Sequence, residues 1–125
     1  MIKKTYNDHP IFLQSIKYIQ NQLDSTGFDP LQQQVLERLI HTSGDFSIQS
    51  LLRFSPDACL SGLKSLQEGA FILTDTSMAK VGVLPMAQRT LNSKVLCVLD
   101  WAPISLEEGS TRTSSGMRVA WRELT

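Results

Sequence analysis

Apolar residues recur through the first half of the chain at helical spacing. Phe12, Ile16, Ile19 and Leu23 are four, three and four positions apart, so they share one face of a helix that Pro10 opens and "DSTG" ends. A second stripe of Leu31, Val35, Leu36, Leu39 and Ile40 follows Asp29 and Pro30, which suit the N-cap and first helical position, and it stops near Gly44. "FSIQSLLRF" fits a short helix and a strand equally well. "SPDACLSGLKSLQEG" predicts a helix capped by Ser55, with Pro56 at its first position, Leu60, Leu63 and Leu66 facing inward, and Gly69 at the closing left-handed turn.

The pattern then changes. "AFILTD" (70–75) and "KVLCVLD" (94–100) are continuous rather than alternating apolar runs, the mark of parallel strands covered on both faces. Both end in an aspartate, Asp75 and Asp100, at the strand ends where open α/β sheets bind ligands. The last segment reads as a loop and a helix with Met117, Ala120, Trp121 and Leu124 on one face. The expected fold is therefore α/β: one domain over residues 1–125, with two N-terminal helices and a partly parallel sheet flanked by helices. Two strands alone cannot bury both faces and edges of a sheet, so the sheet reads as incomplete.

Charge narrows the partners. Twelve basic residues balance 12 acidic ones, which argues against nucleic acid or an anionic membrane as the main partner. No run approaches the length of a membrane span, and the start "MIKKTYNDHP" has a basic flank without a hydrophobic region behind it. The expectation is a cytoplasmic protein with no secretory signal. Cys59 and Cys97 lie in apolar runs without ligand-like neighbours, which predicts two buried thiols in a reducing compartment. His9 and His41 are 32 positions apart, and no metal site is expected.

Candidate chemistry gathers in three places. Arg38 and His41 lie three apart on the flank of the second apolar stripe, so a guanidinium that holds a carboxylate can stand beside an imidazole that trades a proton. The plainer alternative is a surface arginine and a histidine at the negative end of a helix. "TDTSM" (74–78) supplies Asp75, with two hydroxyls, at a helix start, suited either to an anion or amide site or to ordinary capping. "GSTRTSSG" (109–116) packs five hydroxyls around Arg112 but lacks the spacing of a phosphate loop. No GxSxG elbow is present. Residues 30–75 also fit the order of a winged helix-turn-helix regulator. The would-be recognition helix carries only Lys64 against Asp57 and Glu68, however, which is poor equipment for reading DNA.

Taken in order, "HPIFLQSIKYI", "VLERLIHTSGD", "LRFSPDACLSGLKSLQEGAFILTDTSMAKVGV" and "GSTRTSSGM" resemble the precorrin-8X methylmutase (precorrin isomerase) family of the cobalamin pathway. The resemblance runs from residue 9 to about 117. It implies an isomerase that moves a methyl group from C-11 to C-12 of a corrin precursor, giving hydrogenobyrinate or its cobalt form, without a cofactor. The family's catalytic histidine falls on His41, and its substrate contacts fall on Ser15 and Arg38. Asp75, Thr111, Arg112 and Thr113 complete the candidate substrate-binding set. The resemblance also implies that the family's C-terminal portion, with further strands, a pocket wall and part of a dimer interface, is lacking here. A homo-oligomer is expected. The alternative is a non-catalytic tetrapyrrole-binding or interaction fragment of the same family.

Overall fold

Helix ends carry the most explicit local chemistry in this chain. The computed structural model describes residues 8–91 and 93–125, so the basic start weighed above as a targeting signal lies largely outside the described residues. The elements run α1 (Pro10–Gln22), α2 (Pro30–Ser43), α3 (Ile48–Leu51), α4 (Ala58–Gln67), β1 (Ile72–Thr74), α5 (Ser77–Thr90), β2 (Val95–Cys97), a 3₁₀ helix (Val98–Trp101) and α6 (Arg112–Leu124). They divide into two compact units, Met1–Leu60 and Ser61–Thr125.

In the first unit, His9 caps α1 by accepting the Ile11 N–H on Nδ1 at 3.2 Å. Asp29 caps α2 as expected, accepting the Leu31 and Gln32 N–H groups at 2.8 and 3.0 Å. The Gln32 side chain closes a capping box by accepting the Asp29 N–H at 3.2 Å. Gly44 ends α2 with φ of 70°, a left-handed turn that a glycine takes without steric cost. Ile19, Leu36 and Ile40 form the core, with Ile16, Leu23, Phe28, Ile48 and Leu52 packed against them. Each fully buried aliphatic side chain contributes roughly 1.5–3 kcal/mol. The expected stripe on α2 is wider than the buried one: Val35 and Leu39 remain exposed. The ambiguous "FSIQSLLRF" contains the short helix α3, started where Asp45 Oδ1 accepts the Ser47 N–H at 2.8 Å.

The third predicted helix begins later than expected. Asp57 adopts φ of 57°, which puts Pro56 and Asp57 in a turn, and α4 starts at Ala58 rather than behind a Ser55 cap. Leu60 and Leu63 do not face inward; they are 59% and 42% exposed, and no residue of α4 is buried. Its C-terminus does follow the sequence reading. Gly69 takes φ of 84°, the Ala70 N–H donates to Ser65 O at 2.9 Å and the Gly69 N–H donates to Leu66 O at 3.2 Å, the two bonds of a Schellman end.

In the second unit, β1 and β2 pair in parallel, with Ile72, Leu73 and Thr74 opposite Val95, Leu96 and Cys97. The fold is thus α/β with a parallel two-stranded sheet, and α5 makes the crossover and packs on both strands. Parallel register leaves no antiparallel wing of the kind a winged regulator needs. The second strand is shorter than its apolar run, because residues 98–101 tighten into the 3₁₀ helix. Asp100 therefore sits off the strand end, where it pairs with Lys80 at 3.6 Å.

The final helix also corrects the sequence reading. Its buried positions are Gly116 and Ala120, whereas Met117 is at the surface and Trp121 is 65% exposed. The reason is close backbone approach: α6 lies against the 3₁₀ helix so tightly that a Cβ on Gly116 would collide with the Val98 carbonyl oxygen. Cys97 is buried as expected, while Cys59 is only half-buried, and both are free thiols. Among the described residues no helix is long and apolar enough to cross a membrane.

Candidate functional site

Helices α1 and α2 run antiparallel: as α1 advances from Ser15 to Gln20, its side-chain partners on α2 step back from His41 to Glu37. This hairpin brings together three residues singled out from the sequence. Ser15 Oγ and His41 Nδ1 are 2.7 Å apart, a short hydrogen bond between helices. The Phe12 ring meets the imidazole edge-on, with centroids 4.9 Å apart and an interplanar angle of 81°. The Arg38 guanidinium lies over the Phe12 ring, its Cζ 4.7 Å from the centroid.

Phe12 is thus the common neighbour of Arg38 and His41. At an exposed site a cation–π contact is worth about 0.5–1 kcal/mol, enough to bias the guanidinium rather than fix it. Arg38 also approaches Asp8, with Nη2 to Oδ2 at 3.7 Å; both side chains are about half exposed, so this pair adds at most about 1 kcal/mol. Next to it is a hollow of about 230 Å³, lined by Asp8, Phe12, Ile16, Gln20, Glu37 and Arg38 among others. A guanidinium at the rim of a hollow is well placed to take a carboxylate.

The Ser15–His41 bond constrains the chemistry. If the serine hydroxyl donates to Nδ1, Nε2 carries the ring proton and can give it away. If Nδ1–H donates to the hydroxyl oxygen, Nε2 holds the lone pair and can accept one. A hydroxyl rotates between these roles without moving heavy atoms, so one arrangement serves both directions of a proton transfer.

The other four candidates lie in the second unit. Asp75 is exposed directly after β1, and the neighbouring Thr76, not Asp75, caps α5 by accepting the Ala79 N–H at 3.2 Å. Thr111 caps α6, accepting the Ser114 N–H at 3.1 Å, and Arg112 and Thr113 begin that helix. Among the described residues no group of three or more His, Cys, Asp or Glu side chains could hold a metal ion. Sequence reasoning missed Phe12 as a site residue by counting it only as part of the apolar stripe, although its position three before Ser15 puts both on one side of α1. It also missed Glu37, one turn before His41 on α2 and buried at 5% exposure.

The chain is thus an α/β protein with a parallel βαβ unit and, in its helical hairpin, an imidazole bonded to a serine hydroxyl. The chain belongs to the precorrin-8X methylmutase family, whose model matches residues 10–125. It is 32% identical over 124 residues to a cobalt-precorrin-8 methylmutase of Synechocystis, a match covering 88% of this chain and 57% of that protein. It is likewise 32% identical over 130 residues to a precorrin-8X methylmutase of Pseudomonas aeruginosa, covering 98% of this chain and 60% of the relative. The crystal structure of a precorrin-8X methylmutase from Thermus thermophilus superposes with a TM-score of 0.75 at 31% identity, covering 90% of this chain and 55% of the other. The chain therefore spans somewhat more than half the length of these relatives.

Proposed function

We propose that this chain carries the acid–base residues of a corrin-precursor methylmutase of cobalamin biosynthesis, which moves a methyl group from C-11 to C-12 of the macrocycle. The observation that carries this reading is the 2.7 Å bond between Ser15 Oγ and His41 Nδ1 in a chain of this family. The reaction is an isomerisation: the carbon–carbon bond at C-11 breaks, the one at C-12 forms, and any proton lent to the ring by His41 is returned. It needs no oxidant or reductant, and none of the steps assigned to these residues calls for a cofactor. Protonating the conjugated ring lowers the barrier to migration, and an imidazole is suited to giving and recovering that proton near neutral pH.

In this reading Arg38 holds a peripheral acetate or propionate of the substrate, with its guanidinium steadied by Phe12. Ser15 fixes the imidazole. Asp75, Thr111, Arg112 and Thr113 are assigned to further polar contacts with the macrocycle. Because the family match runs across both compact units, both are assigned to one domain, acting in the cytoplasm as a homo-oligomer. The second reading, a tetrapyrrole-binding protein without turnover, is favoured by the exposure of His41.

Titration of the purified chain with the product corrinoid, followed by a turnover assay with the substrate isomer, tests both. Saturable binding with a shifted visible band and conversion of substrate supports the methylmutase. Binding without conversion selects the second reading, and absence of binding removes both.

A further inference from the structure

Glu37 is a buried acid that the chemistry above does not use. It is 5% exposed and lies on α2 one turn before His41. Among the described residues, side-chain amides hold its carboxylate: Gln20 Nε2 donates to both oxygens at 3.1 Å, and Gln33 Nε2 donates to Oε1 at 3.0 Å. Gln33 is itself fixed, its carbonyl oxygen accepting the Thr26 hydroxyl at 2.7 Å, and Thr26 Oγ1 in turn accepts the Phe28 N–H at 3.3 Å. The network thus ties α1, the α1–α2 connection and α2 together around a single carboxylate. Burying an acid is costly, and an apolar side chain at this seam would add to the neighbouring core instead. What the acid gives in return is register, because only one alignment of α1 on α2 lets Gln20 reach both of its oxygens.

From this we infer that Glu37 is the positioning residue of the Ser15–His41 pair. The inference deepens the proposed function and rests on its reading of His41 as the proton carrier. Gln20 and Ser15 share α1, and Glu37 and His41 share α2, so the Gln20–Glu37 clamp sets how the serine hydroxyl meets Nδ1 one turn away. Without the clamp the alignment of α1 on α2 loses a fixed point, and the imidazole loses the partner that orients its ring.

The test reads the imidazole directly and needs no substrate. Nitrogen-15 spectra of the two histidines are recorded for the parent chain, Glu37→Leu, Gln20→Ala and the exchange Gln20→Glu with Glu37→Gln. His9 serves as the internal control, because its Nδ1 is held by the local cap and not by the clamp. The expected result is a His41 Nδ1 signal displaced by its hydrogen bond to Ser15 in the parent, a partial loss of that displacement in Gln20→Ala, a full loss in Glu37→Leu, and restoration in the exchange. A folded Gln20→Ala or Glu37→Leu protein with parent-like His41 signals overturns the inference. Gln20 is exposed, so its variant gives an answer even where Glu37→Leu does not fold. Where turnover is measurable, Glu37→Leu is expected to lower kcat by up to about two- to tenfold, as loss of the Ser15 hydroxyl would, with little change in KM. Loss of the Nδ1 displacement in variants of a protein whose parent does not turn over leaves the positioning role standing and removes the methylmutase reading.

Discussion

Ser15 Oγ and His41 Nδ1 lie 2.7 Å apart although 26 positions separate them in the chain. A bond of this length orients the imidazole and does not engage Nε2. If His41 moves the proton, His41→Ala abolishes methyl migration while product binding stays nearly unchanged, because the imidazole acts mainly in the transition state. Ser15→Ala keeps the imidazole but loses its orientation, and kcat falls by roughly two- to tenfold, the worth of one neutral hydrogen bond. Paired binding and turnover measurements check both. A His41→Ala protein with the parent rate would return His41 to an ordinary helix-end residue.

Arg38 is expected to act on binding before rate. Arg38→Ala should weaken corrinoid binding by about 1.5–3 kcal/mol, the loss of a hydrogen bond to a charged group. Arg38→Lys keeps the charge but neither the bidentate fork nor the flat face set on Phe12, so it should recover only part of that loss. Visible-absorbance titrations of the two variants against the parent measure the difference, and equal affinities in all three would exclude a carboxylate at this guanidinium.

Two glycines in helices should respond oppositely to the same change. Gly116→Ala forces a methyl group into the Val98 carbonyl and should destabilise the chain by at least about 1–3 kcal/mol. Gly62, inside α4, has nothing within 4 Å of an added Cβ. Gly62→Ala should therefore stabilise by about 0.4–1 kcal/mol, through the gain in helix propensity and the loss of unfolded-state freedom. Denaturant midpoints for both variants decide the matter.

Acid should loosen the turn after α2. Hydrogen bonds from the Ser47 hydroxyl and backbone N–H hold the Asp45 carboxyl below the ordinary aspartate value of 3.8. A carboxyl with a depressed folded-state pKa stabilises the fold above its unfolded pKa, and that contribution is lost as pH falls through the folded value. Asp45→Asn should therefore flatten the acid limb of a stability–pH curve. Parent and variant curves with the same acid slope would show that this turn carries no such linkage.

Much of the hairpin and its helix ends could be read before the structure, because caps are local. Asp29 with Pro30, Gly44 and Gly69 each specify a terminus within a few residues, and each holds in the fold. Helix α5 was legible only at its start, in "TDTSM", and not along its body. Its apolar residues are spread around the helix, with Met78 83% and Val81 68% exposed, and Pro85 lies inside it. The face of α6 was misread for a related reason: Gly116 adds nothing to a hydrophobic count, yet the tight backbone contact selects it. Within the site, the Arg38–His41 spacing was visible as helical periodicity. The partnership of Ser15 with His41 is tertiary and entered only through family resemblance, and the Glu37 network has no periodic signature at all.

The amide clamp around Glu37 has a consequence for how this chain can drift. One carboxylate accepts from two glutamine side chains, and a change at any of the three leaves the others with unmatched donors or acceptors around a buried acid. Positions 20, 33 and 37 therefore behave as a single heritable unit: substitutions there should be harmful singly and tolerated in combination. A lineage that replaces the acid at 37 is expected to carry a matching change at 20 or 33, while the apolar residues around them vary independently.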